Sequence, residues 1–259
     1  MRRPSDANPA IRGSGAWVIP GVIESRGRPG RGGEMVGSRP VRVAVLGRPG
    51  SGKGTQSARL ARVLDVPHIS TGELLRSEIE QGSPVGRRAQ EYVDSGQLAP
   101  DGLVLMSLSR RLEGEDVTRD GFVLDGFPRT IDQAVALDTL LAPDGLDAVV
   151  ELMVPEREAS ERLGARLVCP ECGRSVSRDQ RSALCDHCGT VLARRADDDV
   201  DVIRKRFDVF ENETRPLLEW LDHHGRLVAV DGDRSVPEVT RRVIAAVQAV
   251  LDPHRSSAS

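Results

Sequence analysis

The sequence predicts an α/β fold, a doubly wound parallel sheet of five strands with helices on both faces. Two observations carry the prediction. Short β-branched runs alternate with amphipathic helical stretches from residue 41 almost to the C-terminus. Parallel neighbours need a helical crossover, so this alternation implies βαβ units. In addition, glycine- or hydroxyl-bearing turns follow three of the predicted strands, and ligands of such sheets bind at the carboxyl ends of strands.

The elements follow in order. Val41-Arg-Val-Ala-Val-Leu46 is a β-branched run that ends in a glycine-rich turn. The helical stretch after it sets Leu60, Ala61 and Leu64 on one face. Further strands are predicted at Pro67–Ser70, Gly121–Asp125, Asp147–Val154 and Leu227–Asp231. A helix from Ile131 carries Ala134, Val135 and Leu141. Another from about Val200 carries Ile203, Phe207 and Phe210 as a stripe. The last begins at Ser235, where Ser-Val-Pro-Glu238 reads as a capping box.

Composition bounds the class. With 259 residues, 29% charged and 39% hydrophobic, the chain can bury a core without disulfides. No run of 18 apolar residues occurs, so no transmembrane helix and no membrane association are expected. A net charge of −3 argues against a protein held on nucleic acid by bulk positive charge. Residues 1–39 hold eight glycines, four prolines and seven arginines against three acids, the composition of a disordered extension. Met35 lies just before the patterned sequence and offers an alternative start; an arginine-rich targeting arm is the other reading. No apolar secretory region precedes residue 40, so a cytoplasmic location is expected. Of 36 basic residues only Lys53 and Lys205 are lysine.

The strongest motif is Gly47-Arg-Pro-Gly-Ser-Gly-Lys-Gly-Thr55. Between a strand and a helix, Gly50, Ser51, Gly52, Gly54 and Thr55 can wrap backbone amides around phosphates, and Lys53 can reach the outer ones. Gly54 stands where the general motif has Ser or Thr, with Thr55 one residue later. Such a loop specifies a nucleotide and leaves the reaction open.

A second phosphate site is written in Asp125-Gly-Phe-Pro-Arg-Thr-Ile-Asp-Gln133, again after a strand. Asp125 at the strand end is placed to organise Mg²⁺ through water. Arg129 beside Pro128 suits a bidentate grip on phosphate. Gln133 offers an amide to an adenine edge. Upstream, Ser70-Thr-Gly-Glu-Leu-Leu-Arg76 sets another hydroxyl and another arginine after a strand.

Cys169-Pro-Glu-Cys172 and Cys185-Asp-His-Cys188 are separated by twelve residues. Four thiolates at this spacing can close a tetrahedral shell, which predicts a structural Zn²⁺. Disulfides are the alternative, disfavoured in a reducing compartment. His187 is a bystander on this reading.

Taken together, Gly-Arg-Pro-Gly-Ser-Gly-Lys-Gly-Thr-Gln56, Ser70-Thr-Gly-Glu-Leu-Leu-Arg76 and Asp125–Gln133 make the chain resemble the adenylate kinases. These nucleoside monophosphate kinases interconvert ATP plus AMP with two ADP. The resemblance covers about residues 41–250, and the Gly54-Thr55 ending is normal in that family. It implies a core at 40–259 with two mobile insertions, an AMP-binding segment at 70–99 and a lid at 165–198. Many bacterial members carry a zinc knuckle in that lid. By the resemblance Thr71, Arg76, Gly126, Arg129 and Gln133 belong to AMP. Arg162 and Arg166 match two phosphate-binding positions at one lid border, and Arg195 and Arg206 match two at the other, where they also reach AMP. Leu167 replaces a second arginine found in many members. Arg162 and Arg234 are assigned to ATP. Asp197 and Asp198 are either ordinary solvated charge or partners of arginines in a closing lid, and Lys205 is expected on the surface. The resemblance also implies a monomer.

These readings converge on phosphoryl transfer, which needs alignment and positive charge more than covalent chemistry. Lys53, Arg129, Arg162, Arg166, Arg195 and Arg206, with Mg²⁺, would supply that charge. Two alternatives stand beside it. One is a kinase for UMP or CMP, against which Thr71 and Gln133 argue. The other is a zinc-ribbon ATPase acting on nucleic acid. The segment 169–190 offers three arginines but no lysine, Phe, Tyr or Trp, so stacking of single strands is poorly supported.

Overall fold

The computed structural model describes residues 39–252 apart from 174, 177–182, 196 and 197. The expected extension at 1–39 lies outside the described residues except for Arg39. That guanidinium pairs with Asp147 and lies 3.7 Å from Asp144.

Five strands form one parallel sheet: β1 (Val41–Leu46), β2 (His68–Ser70), β3 (Gly121–Asp125), β4 (Ala148–Met153) and a last strand at Leu227–Asp231. Its order is β2, β3, β1, β4, then that last strand, so crossovers run outward in both directions from β1. The predicted strands are all present, with boundaries shifted by at most one residue.

Period-two alternation divides the strand side chains between two cores. Val41, Val43, Val45, Val123, Val150 and Leu152 pack beneath α1 (Lys53–Leu64) and the C-terminal helix Val236–Leu251. Ala44, Leu46, Phe122, Leu124 and Val149 face the other way. They meet α2 (Thr71–Glu80), α3 (Pro84–Asp94), α4 (Asp101–Leu112), α5 (Glu115–Asp120) and α6 (Ile131–Leu141). In α3, Ser83 caps the helix by accepting the Gly86 N–H, and Pro84 stands in the first turn. A Cβ on Gly86 would overlap the Glu78 carbonyl, so only glycine lets α2 and α3 cross this closely.

Past β4, α7 (Glu156–Gly164) leads into two short antiparallel strands, β5 (Leu167–Val168) and β6 (Ser175–Val176), and the cysteine knuckles. The chain returns through α8 (Val200–Val209), a π-turn at Phe210–Thr214 and α9 (Arg215–His223). It then forms β7 (Leu227–Asp231) and α10 (Val236–Leu251). The predicted stripe divides: Ile203 and Phe207 pack on α7, while Phe210 joins the large core.

Two local expectations are corrected. Val135 is 53% exposed, because the buried face of α6 runs through Ala134, Leu137 and Leu141. The capping box at Ser235 does not form. Ser235 is the N-cap residue, but its side chain makes no capping bond. The Glu238 carboxylate turns forward to Arg242 at 2.8 Å instead of back to the cap.

Candidate active site

The site lies at the carboxyl ends of β1, β2 and β3, where three turns converge. The first is the glycine loop between β1 and α1. Gly52 is the N-cap of α1 in left-handed conformation, and neither a capping side chain nor a first-turn acid covers that helix start. The N-terminal amides of α1 are thus available to an anion. A Cβ on Gly50 would overlap the Ala159 carbonyl, so glycine permits the loop to lie directly on α7. The Ser51 hydroxyl is buried and has no hydrogen-bond partner. Lys53 follows, its ammonium 3.4 Å from the Arg48 carbonyl.

The second turn leaves β3. Gly126, at φ +69°, donates its N–H to Val45 and accepts Arg129 Nε at 2.8 Å through its carbonyl. That bond spends one edge of the guanidinium and leaves the remaining fork of N–H groups. Thr130 caps α6 by accepting the Gln133 N–H. The third turn joins β2 to α2, where Ser70 caps the helix and Thr71 is buried in its first turn.

Together these turns border a cleft whose empty space, open mouth included, is about 990 Å³. It gathers Lys53, Thr71, Arg76, Gly126, Arg129, Gln133 and Arg206. Arg166 stands beside them: it and Arg206 both bind the buried carboxylate of Asp198. Asp198 is therefore a paired group and not solvated charge, while Asp197 lies outside the described residues. Arg195 is half-buried, and its carbonyl accepts the Asp198 N–H at 3.2 Å. Lys205 is exposed, as expected.

Arg162 and Arg234 lie apart from this cleft, at the end of β7. Arg162 donates to Glu158 at 2.9 Å and to the Gly232 carbonyl at 3.2 Å. Arg234, half-exposed, binds the Asp233 carbonyl and Asp231. The two arginines therefore flank one turn, on the side of the glycine loop nearest α7.

Positive charge is concentrated in the cleft. Burial pushes the Lys53 ammonium down to about 7; Asp125 opposes the shift, and Arg129, Arg206 and Arg166 add to it. Burial also pushes Arg129 down to about 10, aided by Arg206 and Arg76. Such a cluster is satisfied by a polyanion. Asp125 is the counter-charge. Burial works to raise its pKa, but His68, Lys53 and Arg129 outweigh this and hold it below the usual carboxylate range. One of its oxygens lies 3.7 Å from His68 Nε2, and the other is buried without a partner.

The four cysteines converge away from the cleft. Their sulfur atoms all lie within 4.8 Å of one another, with Cys169–Cys188 at 3.3 Å and Cys172–Cys185 at 3.6 Å. A tetrahedral ion at thiolate bond lengths spaces its sulfurs about 3.8 Å apart, so the four can share one ion. Cys169 and Cys185 are buried, and each knuckle turns on a glycine whose N–H returns to the first cysteine's carbonyl. His187 is not in the cluster.

Three further residues belong to this site. Arg48 reaches Glu156 at the start of α7 and Glu211 in the π-turn, and lies over the Phe210 ring. His68 faces Asp125, and Asp101 binds Gln133. His68 lies in the same strand as Ser70, two residues ahead of it, which is a signal the sequence carries; nothing in the sequence links Asp101 to Gln133.

A family model for adenylate kinase matches residues 45–226. An adenylate kinase of Acidothermus cellulolyticus is 42% identical over 214 residues, which are 80% of this chain and 98% of that protein. One from Moorella thermoacetica is 42% identical over 205 residues, 77% of this chain and 94% of its own. One from Alkaliphilus oremlandii is 40% identical over 210 residues, 79% and 97%.

Proposed function

The chain belongs to the adenylate kinase family, and from that premise we propose a reversible transfer of the terminal phosphoryl group of ATP to AMP, giving two ADP. The observation that carries the proposal is the meeting of Lys53, Arg76, Arg129 and Arg206 with Gln133 in one cleft beside the glycine loop. This joins cations for two phosphate chains to a polar amide suited to a base.

ATP lies with its phosphates on Gly50, Ser51, Gly52, Lys53, Gly54 and Thr55, with Arg162 toward the phosphates and Arg234 in the same site. AMP lies in the cleft, with its phosphate on Arg76 and Arg129, Thr71 beside it and its base toward Gln133 and Gly126. An oxygen of the AMP phosphate is already a competent nucleophile, so no general base is required. Lys53 and Arg129 hold donor and acceptor in line. Arg166, Arg195 and Arg206 neutralise charge that spreads over the transferring group. The segment 165–198 acts as the lid and 70–99 as the AMP-binding insertion; closure excludes water and limits hydrolysis. Mg²⁺ with ATP would supply further charge neutralisation, and Asp125 would hold it through water, as its unpartnered buried oxygen suits. Cys169, Cys172, Cys185 and Cys188 would hold one structural Zn²⁺ that stiffens the lid. Among the described residues no helix is long and apolar enough to cross a membrane. We read the enzyme as a cytoplasmic monomer that acts on nucleotides, with no nucleic-acid partner.

The test is an acceptor panel with Mg-ATP. AMP is expected to exceed CMP, UMP and GMP by about 10⁴-fold in kcat/KM, the scale at which a site built to hydrogen-bond one edge rejects an analogue that leaves its polar groups unpaired. Equal use of CMP or UMP would overturn the assignment of the acceptor.

Lys53 gives a second prediction. Its pKa of about 7 in the free protein against 10.5 in an exposed chain means that the unfolded state binds more protons between those values. This group's contribution to stability therefore rises with pH across that window. Phosphates bound beside it restore the charged form. Nucleotide binding at pH 8 is expected to take up close to one proton, measured by titration calorimetry in buffers of different ionisation enthalpy. In Lys53→Met the uptake should vanish. Equal proton uptake in both proteins would contradict the assignment.

A further inference from the structure

Gln133 is 2% exposed, and its amide is held from two sides. Oε1 accepts the Arg129 backbone N–H at 2.8 Å, and Nε2 donates to Asp101 Oδ1 at 2.7 Å. Each partner has a single role, since a backbone N–H only donates and a carboxylate only accepts. Turning the amide over would set N–H against N–H and oxygen against carboxylate. The neighbours thus fix its orientation. What remains is one lone pair on Oε1 and one N–H on Nε2. Gln133 also lines the cleft.

The anchor is itself well placed. Asp101 is the first residue of α4, after Pro100, whose carbonyl accepts the Leu103 N–H at 2.9 Å. A carboxylate is favoured at a helix N-terminus. Val104, one turn on, lines the same cleft.

We infer that Asp101 is a specificity-determining residue that reads the purine through Gln133. This rests on the proposed placing of the acceptor base against Gln133. An adenine edge presents a donor at its 6-amino group and an acceptor at N1. A hypoxanthine or guanine edge presents the reverse, an acceptor at O6 and a donor at N1. An amide free to turn over would serve both. An amide locked by Asp101 and the Arg129 N–H serves adenine and leaves the other purines with two mismatched contacts.

The test measures kcat/KM with AMP and with inosine monophosphate as acceptors, because hypoxanthine differs from adenine only at this edge. Asp101→Asn keeps the side-chain size, but its amide can meet Gln133 either way round. The AMP-to-inosine ratio is expected to fall about tenfold, the margin of one charge-assisted hydrogen bond over a neutral one. Gln133→Leu removes both readers and should bring the ratio close to unity. A purely structural role for Asp101 would lower both acceptors alike and leave the ratio unchanged, which overturns the inference. If Gln133→Leu also leaves the ratio unchanged, the placing of the base itself is wrong. If only Asp101→Asn leaves it unchanged, the base is placed correctly and the lock alone fails.

Discussion

Arg129→Ala is expected to lower kcat/KM for ATP plus AMP by about 10³-fold or more, the scale of losing one preorganised cation in phosphoryl transfer. Arg129 Nε is spent on the Gly126 carbonyl, so the rest of the guanidinium faces the cleft as a preset fork. The substitution should not unfold the protein. Burial and the charges of Arg206 and Arg76 all disfavour the Arg129 cation in the free enzyme, and only Asp125 favours it. Thermal stability is therefore expected to hold or rise while activity falls, and calorimetry beside steady-state kinetics checks both. Arg129→Lys should recover little, because an ammonium cannot reproduce the planar fork. An Arg129→Ala enzyme with near-normal turnover would remove Arg129 from the machinery.

Removal of the proposed Zn²⁺ is expected to have the second large effect. Within the proposed lid, the packed interior is Cys169, Cys185 and Leu192, with Leu167 and Val176 against them. So small a core does not hold order alone, and metal binding in such modules is folding free energy. Stripping the metal, or Cys172→Ser, is expected to unfold this segment locally and leave the sheet intact. Hydrogen exchange reads the difference. The amides of Val168, Cys185, Leu192 and Ala193, bonded at 2.8–2.9 Å within the lid, should lose about 10³-fold protection. Amides of β1 and β3 should keep theirs. Turnover should fall as well, because Arg166 and Asp198 stand at the two ends of this segment. Equal protection with and without metal would show that the knuckle holds itself.

The strands and the phosphate-facing turns were legible because each is written locally. Val41–Leu46 alternates between two cores that both want apolar residues, and the glycines after it form one local turn between strand and helix. The convergence of the four cysteines was legible because each Cys-x-x-Cys pair holds two thiols on one tight turn. What escaped was set by contacts distant in sequence. Asp101 and Gln133 are 32 residues apart and meet only because α4 packs on α6. The loop motif gives Arg48 no role, yet it binds Glu156 and Glu211, one on each side of the proposed lid in sequence. Local rules also failed where a competing contact in the same helix, or the phase of the helix, decided the outcome. Glu238 matches a capping box but finds Arg242 one turn on, and Val135 is apolar yet lies off the buried face of its helix. For Asp198 the sequence leaves solvated charge and arginine pairing both open, and the convergence of Arg166 and Arg206 on its buried carboxylate decides for pairing.

The most direct measurement is ADP formation from Mg-ATP with and without AMP on the same purified protein. The account predicts two ADP for each ATP and AMP consumed, with formation near background when AMP is left out. ATP consumption indifferent to AMP, with phosphate released to water, would contradict transfer between nucleotides and leave only a phosphate loop that hydrolyses.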